Sequence, residues 1–194
     1  MTAIDFDLGV VTDRVRTLHA IRVAGWLSCD RLAAWWPDAN PEFDVLSDTH
    51  LFKRVAMPGG EMFALTPGGE HAAQVGLESL LGELDDDGRA LLHRRLLEFE
   101  RFDGTMKDVV TAVQRDRSPA RADAVAAFHR DVAGVVDAVA SAFPLWRSYG
   151  DRLAEAARQI ERGDYTYVAS PLIDSYHTMW HLLHRDMRLV VAAA

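Results

Sequence analysis

The chain has 194 residues, 49% of them hydrophobic, and a formal net charge of −8. That is enough for one sizeable core or two small ones. No run of about 18 apolar residues is present, which excludes a helical membrane span. MTAIDFDLGV lacks the basic start and apolar centre of a secretory signal, and the single cysteine, Cys29, excludes an intramolecular disulfide or a multi-cysteine zinc site. A cytoplasmic protein is expected.

Taken in chain order, Thr12–Trp26 places Val15, Leu18, Ile21 and Val23 at helical spacing and so predicts a first helix. Ser28 is a cap for a short second helix running to Trp36, stopped by Pro37, and Asn40-Pro41 repeats the signature for a third around Glu42–Leu46. Of the adjacent Trp35 and Trp36, one ring is expected in the core and the other at its edge, because neighbouring helical residues point about 100° apart. Cys29 falls at a helix start, where a thiol pKa is lowered, so a redox-sensing thiol is weighed against a plain helix residue. Leu51–Met57 and Glu61–Leu65 flank Pro58-Gly59-Gly60 and read as a hairpin. Thr66 then caps a helix with Pro67 at its first position, where the missing N–H costs nothing.

Beyond about Gln74 only helical patterns occur. Thr66–Leu84 ends at the acidic turn Asp85-Asp86-Asp87-Gly88, and Arg89–Arg101 carries a stripe of Leu92, Leu96 and Phe99. Helices are expected over Asp103–Asp116, from Ser118-Pro119 to Phe143, over Asp151–Gly163 after a bend at Pro144–Gly150, and from Ser170-Pro171 to about Val190. The fold class expected is mainly α with a small β-hairpin. Its domains are a winged helix-turn-helix lobe over residues 1–72 and an all-helical lobe over residues 73–194.

The run Phe63-Ala64-Leu65-Thr66-Pro67-Gly68-Gly69 resembles the wing exit of MarR- and PadR-type transcription regulators, which implies a DNA-binding lobe. Its candidate contacts are Asn40, Ser47, Thr49 and His50 around the third helix, with Lys53 and Arg54 on the wing. Charge opposes this, because residues 1–70 hold six bases against ten acids, a net −4, whereas phosphate attraction supplies most non-specific affinity. NPEFDVLSDTH has three carboxylates and no Lys or Arg to meet a guanine edge.

FERFDGTMKDVVTAVQ, LWRSYGDRLAEAARQIERGD and SPLIDSYHTMWHLLHRD extend a second resemblance over most of the chain. They are similar to a bacterial family with an N-terminal winged helix and a closing helix of the pattern D-S-Y-H-T-x-W-x-x-L-H-x-D. Here that pattern falls on Asp174, Ser175, Tyr176, His177, Thr178, Trp180, Leu183, His184 and Asp186. The resemblance implies a MarR-like protein of unassigned role, in some members associated with phosphoenolpyruvate-utilising enzymes.

His177, His181 and His184 recur at i, i+4 and i+7 on one helical face, with Asp174 a turn earlier, a set able to hold a divalent metal. Hydrogen-bonded packing between helices is the reading preferred, so no metal or cofactor is expected. Neither a phosphate-binding glycine loop, nor G-x-S-x-G, nor H-E-x-x-H occurs, and no catalytic residue is assigned. Three functions therefore stand in order. They are a winged-helix regulator, dimeric if DNA is its target; a non-catalytic accessory subunit that has lost DNA binding; and a small-molecule site or enzyme built on the histidines.

Overall fold

The computed structural model describes residues 13–35, 49–57 and 60–194. They are mainly helical with one antiparallel hairpin, the class expected. The chain divides into two compact units, one ending at Asp87 and one running from Gly88 to Ala192.

In the first unit α1 spans Asp13–Ala24 and α2 spans Cys29–Trp35. Strands β1 and β2 cover Phe52–Met57 and Gly60–Leu65, and α3 covers Pro67–Gly82. Gly25, at φ 83°, ends α1 with its N–H on the Ile21 carbonyl. The Ser28 hydroxyl oxygen accepts from the Arg31 N–H at 3.3 Å, which is the expected cap of α2. Between the two helices Leu27 exchanges both backbone hydrogen bonds with Phe63, at 3.0 and 2.8 Å, so the loop after α1 lies beside β2 as a third, one-residue strand.

The hairpin register sets Phe52 opposite Leu65 and Arg54 opposite Phe63. Because strand side chains alternate, Phe52, Phe63 and Leu65 share one face. All three are buried, and with Leu18, Ile21, Leu32, Trp35 and Leu77 they form the core of this unit. The Thr66 oxygen caps α3 by accepting from the Gly69 N–H at 3.1 Å, while its hydroxyl donates to the His50 carbonyl and its N–H to that of Leu51. This docking explains Gly68-Gly69: a Cβ on Gly69 would stand 2.1 Å from the Leu51 carbonyl oxygen. Since α3 packs along α1 and β2, it stays with the first unit, and the boundary expected after residue 72 falls one helix later. The helix expected around Glu42–Leu46, with Trp36, Asn40, Ser47 and the turn tip Pro58-Gly59, lies outside the described residues.

The second unit contains α4 (Asp86–Glu100), α5 (Asp103–Arg115) and α6 (Pro119–Ala140). A 3-10 turn at Pro144–Trp146 leads to α7 (Arg147–Glu161), α8 (Thr166–Ala169) and α9 (Tyr176–Ala193). Asp86 and Asp87 form the first turn of α4, where the helix dipole favours carboxylates, rather than a loop ahead of it. The bend expected up to Gly150 is confined to Pro144–Trp146. Helix α7 begins a turn earlier than Asp151 because buried Tyr149 continues the stripe of Leu153, Ala156 and Ile160.

The last helix departs most from expectation. Ser170-Pro171 does not open it; the short α8 precedes a turn there, and α9 starts behind Ser175, whose Oγ accepts from the Thr178 N–H at 3.4 Å. A start at Pro171 would commit Leu172, 85% exposed, to a helix with no partner, whereas the later start places Tyr176, Met179, Trp180 and Leu183 in the core.

Candidate functional site

Two constellations carry the candidate residues. On the hairpin, Lys53 and Arg54 are exposed, and alternation puts them on opposite faces. Arg54 lies on the face of Phe63, its guanidinium carbon 5.8 Å from the ring centre, and its Nη1 is 3.8 Å from a Glu61 carboxylate oxygen across the hairpin. Its charge is thus partly matched inside the hairpin, while no ion pair forms at Lys53 among the described residues. Thr49 and His50 are exposed in the turn before β1, with the His50 carbonyl held by Thr66. At the first position of α2, the Cys29 thiol pKa is raised by partial burial, reinforced by the charges of Asp30 and Glu61. This is the reverse of the lowering that a helix start can bring, and it disfavours the thiolate that a redox sensor needs, in keeping with a plain helix residue.

The motif on α9 ties that helix to its neighbours almost residue by residue. Asp174 pairs with the Arg152 guanidinium on α7, which also donates from Nε to the Met179 sulfur at 3.2 Å. Ser175 caps the helix, and its hydroxyl donates to Thr178 Oγ1, which in turn donates to the Ser170 carbonyl. The Tyr176 hydroxyl lies 3.3 Å from His129 Nδ1 on α6, with the phenol pKa raised by burial. Trp180 stacks on Phe99 at 4.1 Å between ring centres and donates from Nε1 to Asp103 Oδ1 at 3.3 Å. Asp186 is 1% exposed and accepts from the Trp146 indole N–H at 3.2 Å and the Tyr149 hydroxyl at 3.1 Å.

His184 forms the hub. Its Nε2 is 2.9 Å from Glu100 Oε1 at the end of α4, and its Nδ1 is 3.6 Å from Asp103 Oδ1 at the start of α5. Arg188 donates twice to the same Glu100 oxygen, at 2.9 and 2.7 Å, and Lys107 reaches Asp103 at 2.7 Å. Bonds from His184 first and Arg188 second hold the Glu100 carboxyl below its ordinary range. For Asp103 burial acts upward, but Lys107, the His184 charge and the Trp180 bond outweigh it, and its pKa is lowered too.

The three histidines do not form a common ligand set. His177 and His181 face each other with ring centres 5.3 Å apart, while both nitrogens of His184 are turned to carboxylates. Among the described residues no group of three or more His, Cys, Asp or Glu is arranged to hold a metal ion. Glu100, Asp103, Arg152, Trp146 and Tyr149, which complete these contacts, lie in the segments FERFDGTMKDVVTAVQ and LWRSYGDRLAEAARQIERGD that share the family resemblance, but the sequence assigns none of them a partner. They lie up to 88 residues from their partners, and nothing local marks the pairing.

No described helix is long and apolar enough to cross a membrane. No family model, curated protein or solved structure matches this chain.

Proposed function

We propose that the first unit is a winged helix and that the protein is a cytoplasmic, non-catalytic transcription regulator of the MarR/PadR-like kind. Its hairpin is then the wing that meets DNA. One observation supports this reading: Leu27, between α1 and α2, pairs with Phe63 on β2, so the hairpin that follows the two helices is joined to the segment between them as one small sheet. Lys53 and Arg54 are the wing bases that meet phosphate, and the helical unit supplies the dimer that DNA half-sites call for. The motif fits such a scaffold, since its polar side chains hold helices together.

The test is binding of the full chain to labelled DNA from its own promoter at about 50 and about 200 mM salt, with scrambled DNA as control. Sequence preference with a salt-dependent affinity supports a regulator; no binding at the lower salt removes the reading. A second reading rests on the Arg54–Glu61 contact, which matches one of the two wing bases internally. On that reading the fold serves as a protein-docking accessory, which the family resemblance sets beside a phosphoenolpyruvate-utilising enzyme. A stoichiometric protein partner together with absent DNA binding would establish it.

A further inference from the structure

The second unit contains a cavity of about 610 Å3 between the end of α5, the turn after α7, the short α8 and the turn that follows. Its volume is within the range of small-ligand sites. Val113 and Val168, 3% and 2% exposed, give it an apolar floor. Three of its polar side chains, the Gln114 amide, the Arg117 guanidinium and the Tyr165 phenol, form no hydrogen bond or ion pair among the described residues. The rest of the rim is already tied down. Asp164 Oδ1 accepts from the Thr166 N–H and hydroxyl, Ser170 Oγ accepts from the Leu172 N–H, and the Ser170 carbonyl accepts from Thr178 on α9.

We infer that this cavity binds a small organic monocarboxylate with an apolar body, its carboxylate on Arg117 and its chain over Val113 and Val168. A guanidinium presents paired donors that match a planar carboxylate. The Asp164 carboxylate on the same rim cancels the formal charge of Arg117, so it opposes a dianionic phosphate more strongly than a monocarboxylate seated on the guanidinium. Pro171 and the Tyr165 ring, more exposed than the two valines, give a carbon chain apolar surface that a bare anion cannot use. Gln114 and Tyr165 are free to bond the second carboxylate oxygen or a hydroxyl on the chain. Because Thr178 bonds the rim at Ser170, an occupied cavity is coupled to the start of the helix that carries the motif. The site is independent of DNA binding and stands whether or not the wing meets a duplex.

The experiment is titration of the full chain with valerate, followed by calorimetry and ligand-observed NMR, with the neutral amide valeramide and inorganic phosphate as controls. Saturable valerate binding is expected, with valeramide and phosphate at least about tenfold weaker. Arg117→Ala, at an exposed position that leaves the circular dichroism spectrum unchanged, abolishes the preference for valerate over valeramide, and Arg117→Lys retains part of it. No saturation by about 10 mM valerate, equal binding of valeramide or phosphate, or unchanged binding by Arg117→Ala overturns the proposal.

Discussion

At the scale of single residues, two glycines of α3 separate contact from conformation. Gly69 sits where the helix start meets the chain entering β1, and any Cβ there collides with the Leu51 carbonyl, a backbone atom that cannot swing aside. Gly82, the last residue of the same helix, has nothing within 4 Å of an added Cβ. Gly69→Ala therefore destabilises the first unit by about 2–4 kcal/mol, the scale of overpacking against an immovable neighbour. Gly82→Ala is neutral or stabilises by up to about 1 kcal/mol, because alanine loses less entropy in a helix. Urea unfolding of the two variants, followed by Trp fluorescence and far-UV circular dichroism, checks the contrast; equal effects would remove the claim that the Pro-Gly-Gly run is dictated by close docking.

At the scale of elements, the start of α9 is decided by which side chain supplies the cap. Ser175→Ala removes the acceptor for the Thr178 N–H and the donor to Thr178 Oγ1, and should cost about 1 kcal/mol. Pro171→Ala should change stability by less than about 0.5 kcal/mol, because Pro171 is in a turn and not at a helical first position. If Pro171→Ala is the more damaging in thermal melts, the helix begins where its Ser-Pro pair suggested. This case marks the limit of legibility. The hairpin, the caps at Ser28 and Thr66 and most helix spans were readable, because turn chemistry and apolar period are local signals. The choice between Ser170 and Ser175 was not, because it depends on which start buries Tyr176 and Trp180, a tertiary preference. The polar pairings are hidden for the same reason: Asp174, His184 and Asp186 stand in the motif and Arg152, Glu100 and Tyr149 in the other two segments of the resemblance, but nothing local says which side chain meets which.

The helical unit as an element of acid response follows from the same contacts. Burial lowers the pKa of His129 and His177, so the unfolded chain takes up these protons first as pH falls. Stability from this source is full above the ordinary histidine value of about 6.5 and declines below it. Glu100 acts at lower pH with its folded pKa depressed, so its contribution is present above the ordinary glutamate value of about 4.3 and is lost as pH falls below that value and through the folded one. Urea midpoints of the second unit should fall in two stages between about pH 7 and about pH 3. His129→Phe should flatten the upper stage and Glu100→Gln the lower; a profile unchanged in both variants would show that other groups set the acid limit.

For the whole molecule, charge is the quantity on which the proposed DNA binding turns. With a net −8 over the chain and two bases on the hairpin, electrostatic attraction has little to draw on, and the salt slope expected from two phosphate contacts is shallow, near −2 per hairpin on a logarithmic scale. Glu61 is the residue that limits it further, because its carboxylate lies against Arg54 on the face shared with Phe63. Both side chains of the pair are more than half exposed, so their contact contributes little to the fold and can be removed without unfolding the hairpin. Glu61→Gln should therefore leave the melting temperature almost unchanged, release Arg54 and raise promoter-DNA affinity several-fold at about 50 mM salt, with the gain shrinking as salt rises. Lys53→Ala should act in the opposite direction. An affinity indifferent to both substitutions would mean that the hairpin does not touch DNA, and the two bases would then belong to a surface that meets protein instead.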